Sequence, residues 1–170
     1  VLVESFASGA GARWMAEQAA RLTGRAPTHV VLTHYHSDHT GGLAAVGGGD
    51  VDTVLTTTTR DLTRERNQGA PLDVLANAVV LDGRRPWEID LGDRSLIVVH
   101  RRGHTASDIT IEIPDTRTVF CGDLDRVFAF EGRIFRVTRH CASSLRSLDR
   151  TVVTVGEPDI AVEIGEARPD

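Results

Sequence analysis

The sequence predicts a layered α/β protein with helices outside its sheets. Three observations carry that prediction: apolar runs alternating with helical patterns in the first half, a β-rich meander from Trp87 onward, and one further helix and strand near the end. Residues 1–170 are read as a single domain, since this length suffices for one substantial core.

Val1-Leu2-Val3 reads as a buried strand. Such a strand at the first residue needs neighbours, so a preceding β-hairpin is expected to be missing from this chain. Residues 11–22 follow as a helix, with Trp14, Met15, Ala19 and Leu22 at helical spacing and Gly24 closing it; Trp14 and Met15 are assigned to the core. The apolar run 29–32 is a buried strand after Pro27. A short helix opens at Thr40 or Gly41, Gly47-Gly48-Gly49 is a turn, 51–56 a strand, and 57–67 a charged surface helix whose arginines alternate with Asp61 and Glu65. Residues 70–86 read as loop around one apolar segment at 79–81, placed to border a substrate pocket. Beyond them come strands over 87–91 and 95–100 about a Gly92-Asp93 turn, then strands over 108–113 and 117–121 about Pro114-Asp115. A helix over 142–155 and a strand over 159–164 complete the chain.

Composition narrows the chemistry. With 41% hydrophobic and 25% charged residues the chain is an ordinary globular protein, and its net charge of −5 offers no basic field for nucleic acid or anionic lipid. All 19 basic residues are arginine, which excludes a lysine Schiff base and a P-loop lysine. Cys121 and Cys141 form no C-x-x-C pair and read as small buried hydrophobes. No apolar run approaches the ~20 residues of a transmembrane helix, and a cytoplasmic location is expected.

The densest chemistry lies in Thr33-His34-Tyr35-His36-Ser37-Asp38-His39-Thr40-Gly41-Gly42, directly after the 29–32 strand. For any one of these histidines a solvated polar loop is the ordinary explanation. Four ligand-type side chains between positions 34 and 39 point instead to metal. On an extended backbone His34, His36 and Asp38 fall on one side, and His39 turns back from another direction, a geometry that serves two neighbouring ions.

His34-x-His36-x-Asp38-His39, a later Gly103-His104-Thr105, and Gly122-Asp123 at a strand end resemble the metallo-β-lactamase superfamily of metal-dependent hydrolases. The likeness runs from Val1 to about Ile164 and implies the αβ/βα four-layer sandwich of that family. It also implies His34, His36 and His104 on one zinc ion, Asp38 and His39 on a second, and Asp123 bridging the two. The chemistry agrees, because neutral imidazoles and carboxylates suit one or two zinc ions, with iron or manganese as alternatives. A zinc-activated water or hydroxide would attack an ester, thioester, lactone or lactam carbonyl of a small-molecule substrate, oriented by Asp38. Asp at position 123, where true β-lactamases of this fold carry Cys or Ser, points towards relatives of glyoxalase II and the lactonases. His36 stands where the flavo-diiron oxidoreductases have Glu, which favours hydrolysis.

Members of the family usually complete the second metal's shell with a His in a turn after the final strand. Here Ala161-Val162-Glu163-Ile164-Gly165-Glu166 occupies that place. Glu163 or Glu166 substitutes, water fills the position, or the second site is weak. A catalytically impaired metal-binding remnant is therefore a rival expectation. A metallo-nuclease is a third, disfavoured by the acidic balance. Arg101, Arg102 and His140 are candidate substrate contacts, the arginines for a carboxylate or phosphate.

Overall fold

The computed structural model describes residues 1–83, 85–101, 103–116 and 118–124, and the backbone of residues 127–130, 133–139 and 160–166. The chain divides into two compact units, residues Val1–Trp87 and Glu88–Asp170.

The first unit is built on a parallel sheet of strands β1 (Leu2–Val3), β2 (His29–Val31), β3 (Asp52–Thr56) and β4 (Val79–Leu81), in that order. Leu2 lies opposite Val30, Val30 opposite Thr53, and Val54 opposite Val79. Parallel neighbours need crossover connections, and helices supply them. Helix α1 (Gly9–Thr23) joins β1 to β2; the one-turn helix α2 (Ser37–Thr40) and a 3-10 turn at Leu43–Ala45 join β2 to β3; α3 (Thr57–Arg66) and α4 (Leu72–Ala76) join β3 to β4. Leu2, Val30, Leu32, Leu43, Leu55, Val74 and Leu75 form the core, covered by Met15, Ala16 and Ala19 of α1.

Local chemistry sets the helix ends. The Ser8 hydroxyl accepts the Gly11 N–H, so α1 starts two residues before the expected position, and Gly24 at φ 71° closes it by donating its N–H to the Ala20 carbonyl. Thr56 caps α3 by accepting the Thr59 N–H at 3.0 Å. Two expectations are corrected. Trp14 is 60% exposed, and Leu22 86%. The buried face of α1 runs through Ala12, Met15, Ala16 and Ala19, and at about 3.6 residues per turn Trp14 is turned roughly 160° from Ala16. Residues 70–86 are not simply loop. Val74 and Leu75 are buried on α4, and Val79–Leu81 is the edge strand of the sheet. A five-residue helix is too short to show a period in sequence.

The second unit carries an antiparallel sheet of β5 (Trp87–Asp90), β6 (Ser95–His100), β7 (Ile109–Ile113) and β8 (Thr118–Phe120) in that order. Gly92 at φ 90° makes the first turn, where the Leu91 N–H donates to the Arg94 carbonyl at 2.9 Å. The 3-10 turn Pro114–Thr116 makes the last. A further antiparallel sheet orders β11 (Ile160–Glu166), β10 (Arg133–Arg139) and β9 (Val127–Phe130). The β9–β10 hairpin had no counterpart in the sequence reading. The helix expected over 142–155 lies outside the described residues, as does Cys141. Among the described residues, no helix is long and apolar enough to cross a membrane.

Cys121, just past β8, is buried as expected. Burial first, then the Glu112 carboxylate, pushes its thiol up to about 12, with Arg101 opposing. An unfolded thiol titrates near ~8.5. Its stabilising contribution is thus complete below that pH and is lost as pH rises towards 12. In a Cys141→Ser background, native protein at pH 8 is expected to resist iodoacetamide at Cys121 until denaturant is added. The alkaline fall in the urea midpoint should be smaller in Cys121→Ala.

Candidate metal centre

In the first unit, β2 delivers the chain to Thr33 and the histidine cluster. The extended alternation expected through Asp38 stops at His36, which has φ −61° and ψ 148° and caps α2. The His36 carbonyl accepts the N–H groups of His39 and Thr40 at 3.1 and 3.0 Å, and the Ser37 carbonyl accepts that of Gly41 at 2.8 Å. Asp38 and His39 therefore ride a helical turn instead of a strand end. His39 Nε2 lies 3.5 Å from Asp38 Oδ2.

The His34 ring is buried, and its Nε2 faces His36 Nδ1 at 3.2 Å. Two nitrogens each ~2.0–2.1 Å from a tetrahedral zinc ion sit roughly 3.3 Å apart. The pair thus already has the bite of two ligands on one ion, and the donor set fits zinc.

Glu4 is one residue that sequence reading missed. Its carboxylate accepts the Thr33 N–H at 3.2 Å and the Thr33 hydroxyl, and lies 3.2 Å from His39 Nδ1. Thr33 Oγ1 in turn is 3.1 Å from His34 Nδ1. Glu4 thus holds His39 directly and His34 through one hydroxyl, each at the nitrogen turned away from its cluster partner. A carboxylate behind a ligand imidazole fixes its tautomer and orientation. Glu4, His34 and His39 bring one ligand atom each within 4.8 Å of one another. Its φ of 71° lies in the left-handed region, which costs a non-glycine residue about 1–3 kcal/mol and recurs where the surrounding structure requires a side chain in one place. Glu4→Ala is expected to weaken zinc binding about 10- to 100-fold, measured by competition with a chromophoric chelator.

In the second unit, His104 Nε2 lies 3.6 Å from Asp123 Oδ2, and Asp123 is nearly buried just beyond β8. The loop that carries His104 is held by buried Asp108, which sequence reading assigned only to a strand. Its Oδ2 accepts the Thr105 N–H at 2.7 Å and its Oδ1 the Thr105 hydroxyl at 2.6 Å. Thr105 Oγ1 also accepts the Ser107 N–H at 3.0 Å, closing a compact turn after His104.

Arg101, a candidate substrate contact, donates from Nη2 to Glu112 Oε1 at 2.7 Å and from Nε to Thr110 Oγ1 at 3.2 Å. Glu112 is only 5% exposed, so removing the guanidinium leaves a buried carboxylate without its countercharge, held by the Thr110 hydroxyl at 2.9 Å. Arg101→Met should cost about 2 kcal/mol in urea unfolding, less than a fully buried pair because the arginine is partly solvated. Unchanged stability with a raised KM would assign the residue to substrate instead. Arg102 and His140 lie outside the described residues. Ile160–Glu166 runs as a strand, with Glu163 opposite Arg136 and Glu166 opposite Arg133 in register.

The human acyl-coenzyme A thioesterase MBLAC2 is 28% identical over 127 residues, 63% of this chain and 44% of that protein. The hydroxyacylglutathione hydrolase of Shewanella loihica is 31% identical over 128 residues, 73% of this chain and 45% of that protein. The chain thus spans less than half the length of these curated relatives, both of them hydrolases by name. Among solved structures, a metallo-beta-lactamase from Pontibacter korlensis superposes with a TM-score of 0.60 at 22% identity, over 76% of this chain and 57% of that one, and so shares its α/β fold. Residues 1–153 match the family described as the metallo-beta-lactamase superfamily, and the chain belongs to it.

Proposed function

We propose that the protein is a metal-dependent hydrolase of small acyl compounds, with a thioester as the substrate class inferred from its relatives. His34, His36 and His104 would hold one ion and Asp38 with His39 a second, with Asp123 between them. The family match runs through both units, which supports reading residues 1–170 as one catalytic domain. The observation that carries the proposal is the facing pair His34 Nε2 and His36 Nδ1 at 3.2 Å on a loop braced by Glu4. Bound zinc, iron or manganese supplies Lewis acidity towards a carbonyl and lowers the pKa of water towards neutrality.

The chain's own residues do the rest. Asp38 Oδ2, on the turn of α2, orients the attacking water and receives its proton. The water oxygen adds to the acyl carbon, the bond from that carbon to sulfur breaks, and the thiolate leaves with the proton that Asp38 took. The carboxylic acid so formed releases the second water proton to solvent, so carboxylate, thiol and one proton are the products. Arg102 and His140 are the proposed contacts for the anionic part of the carrier, while Arg101 is committed to Glu112 and Thr110. The absence of a basic field leaves nucleic acid outside this reading. A cytoplasmic location belongs to the proposal as well.

The test is turnover of short acyl-coenzyme A and acylglutathione thioesters by zinc-loaded protein, before and after chelation. Turnover that chelation abolishes and zinc restores is expected; hydrolysis indifferent to metal would overturn the proposal. A second reading, a metal-binding remnant without turnover, draws on the strand at Ile160–Glu166 in place of a His-bearing turn. Bound zinc with no hydrolysis of any thioester or lactone tried would favour it.

A further inference from the structure

The Asp38-His39 turn is only four residues long, far below the length at which a helix stands alone in water. It is held from one side by the segment after β1. Ser5 donates its N–H and its hydroxyl to the His39 carbonyl at 2.8 and 2.9 Å, and the Gly42 N–H reaches the Phe6 carbonyl at 2.8 Å. A second brace comes from the end of α3.

Asn67 supplies it. The residue caps the C-terminus of α3 and donates both Nδ2 hydrogens into the metal loop, to the Tyr35 carbonyl at 2.8 Å and to Thr40 Oγ1 at 2.7 Å. A carbonyl only accepts, so the amide nitrogen and not its oxygen must face Tyr35. The relay continues, because the Thr40 hydroxyl donates to the His36 carbonyl at 3.0 Å, and that carbonyl also accepts the N–H groups of His39 and Thr40. One side chain thus ties the residue between the two facing histidines to the far end of α2. Thr40 is buried and Asn67 half-buried, so water is a poor substitute for these bonds.

We infer that Asn67 is a positioning residue for the metal loop: it fixes the spacing of the His34/His36 pair against the Asp38/His39 turn from outside the ligand set. The inference rests on the metal reading above. It also gives the α3–α4 connection a role in the site, since Asn67 is where that connection begins.

The test compares Asn67→Ala and Asn67→Asp with Val74→Ala, a core change in the same unit that sets the scale of a general stability loss. Asn67→Asp keeps the shape but cannot donate, so it should be at least as impaired as Asn67→Ala. Zinc affinity, read by chelator competition, is expected to fall about 10- to 100-fold in both Asn67 variants and to change little in Val74→Ala. In metal-free protein the amides of His39, Thr40 and Gly41 should exchange about tenfold faster in the Asn67 variants. Parent-like zinc affinity in both Asn67 variants, or an equal loss in Val74→Ala, would overturn the inference while leaving the metal centre intact. A parent protein that binds no zinc would overturn the metal reading, and this inference with it.

Discussion

His34→Ala is expected to remove the bound metal and to lower kcat/KM for a thioester by at least about 10³-fold, the scale on which a preorganised electrostatic element contributes to catalysis. The expectation follows from where the ring sits. His34 is buried, its Nε2 faces His36 Nδ1, and its ring centroid is 4.2 Å from that of His39. Removing the ring takes away one of the two facing nitrogens and vacates space beside His39. His29→Ala is the appropriate control. That ring pairs with the Thr28 hydroxyl and lies 3.8 Å from Asp52, on the strand but outside the cluster, so metal content and turnover should stay near those of the parent. Metal analysis on both variants, beside steady-state kinetics, separates loss of the ion from loss of the fold.

Gly42→Ala should be the most destabilising single methyl in the loop. A Cβ there would lie 2.0 Å from the Ser5 carbonyl oxygen, 2.6 Å from Ala12 Cβ and 2.7 Å from the Ser8 carbonyl oxygen. Two of these neighbours are backbone, and the Ser5 segment is tied down by its own bonds to His39. Relief would have to come from moving α1 or the turn that carries Asp38 and His39. We expect a loss of about 3 kcal/mol or more, seen as a melting temperature lower by roughly 10 °C. Gly24→Ala makes the comparison, since Gly24 has φ 71° but nothing within 4 Å of a built Cβ. Its cost should be conformational, about 1 kcal/mol. Equal losses at the two positions would contradict the close approach as the reason for glycine at 42.

The contrast between what could be read in advance and what could not follows the range of the interactions. The strand before the cluster, the Gly92 turn and the Pro114 turn were legible because the signals are local: an apolar run, a glycine at positive φ, a proline. The candidate cluster of His34, His36, Asp38 and His39 stood out because its residues crowd one loop. The shape of that loop was not, since alternation presumes an extended chain, and one helical turn has no period to betray it. Trp14 misled for a related reason: at the first turns of a helix rich in alanine, hydrophobicity alone does not decide which face is buried. Glu4, Asn67 and Asp108 were missed as parts of the site. Glu4 meets Thr33 across 29 residues, and Asn67 meets Thr40 across 27, so each contact exists only once the parallel sheet has formed. A faint signal for Glu4 lies in the register, because Val3 pairs with Val31 and the chain beyond each strand carries Glu4 on one side and Thr33 on the other.

The central claim is that this loop holds a transition metal, and an anomalous-scattering map tests it most directly. Crystals of protein purified without chelator, measured on either side of the zinc edge, should show a peak about 2.0–2.1 Å from both His34 Nε2 and His36 Nδ1. A map with no peak at that position, from zinc-supplemented crystals in which the two nitrogens still face each other at 3.2 Å, would contradict the account.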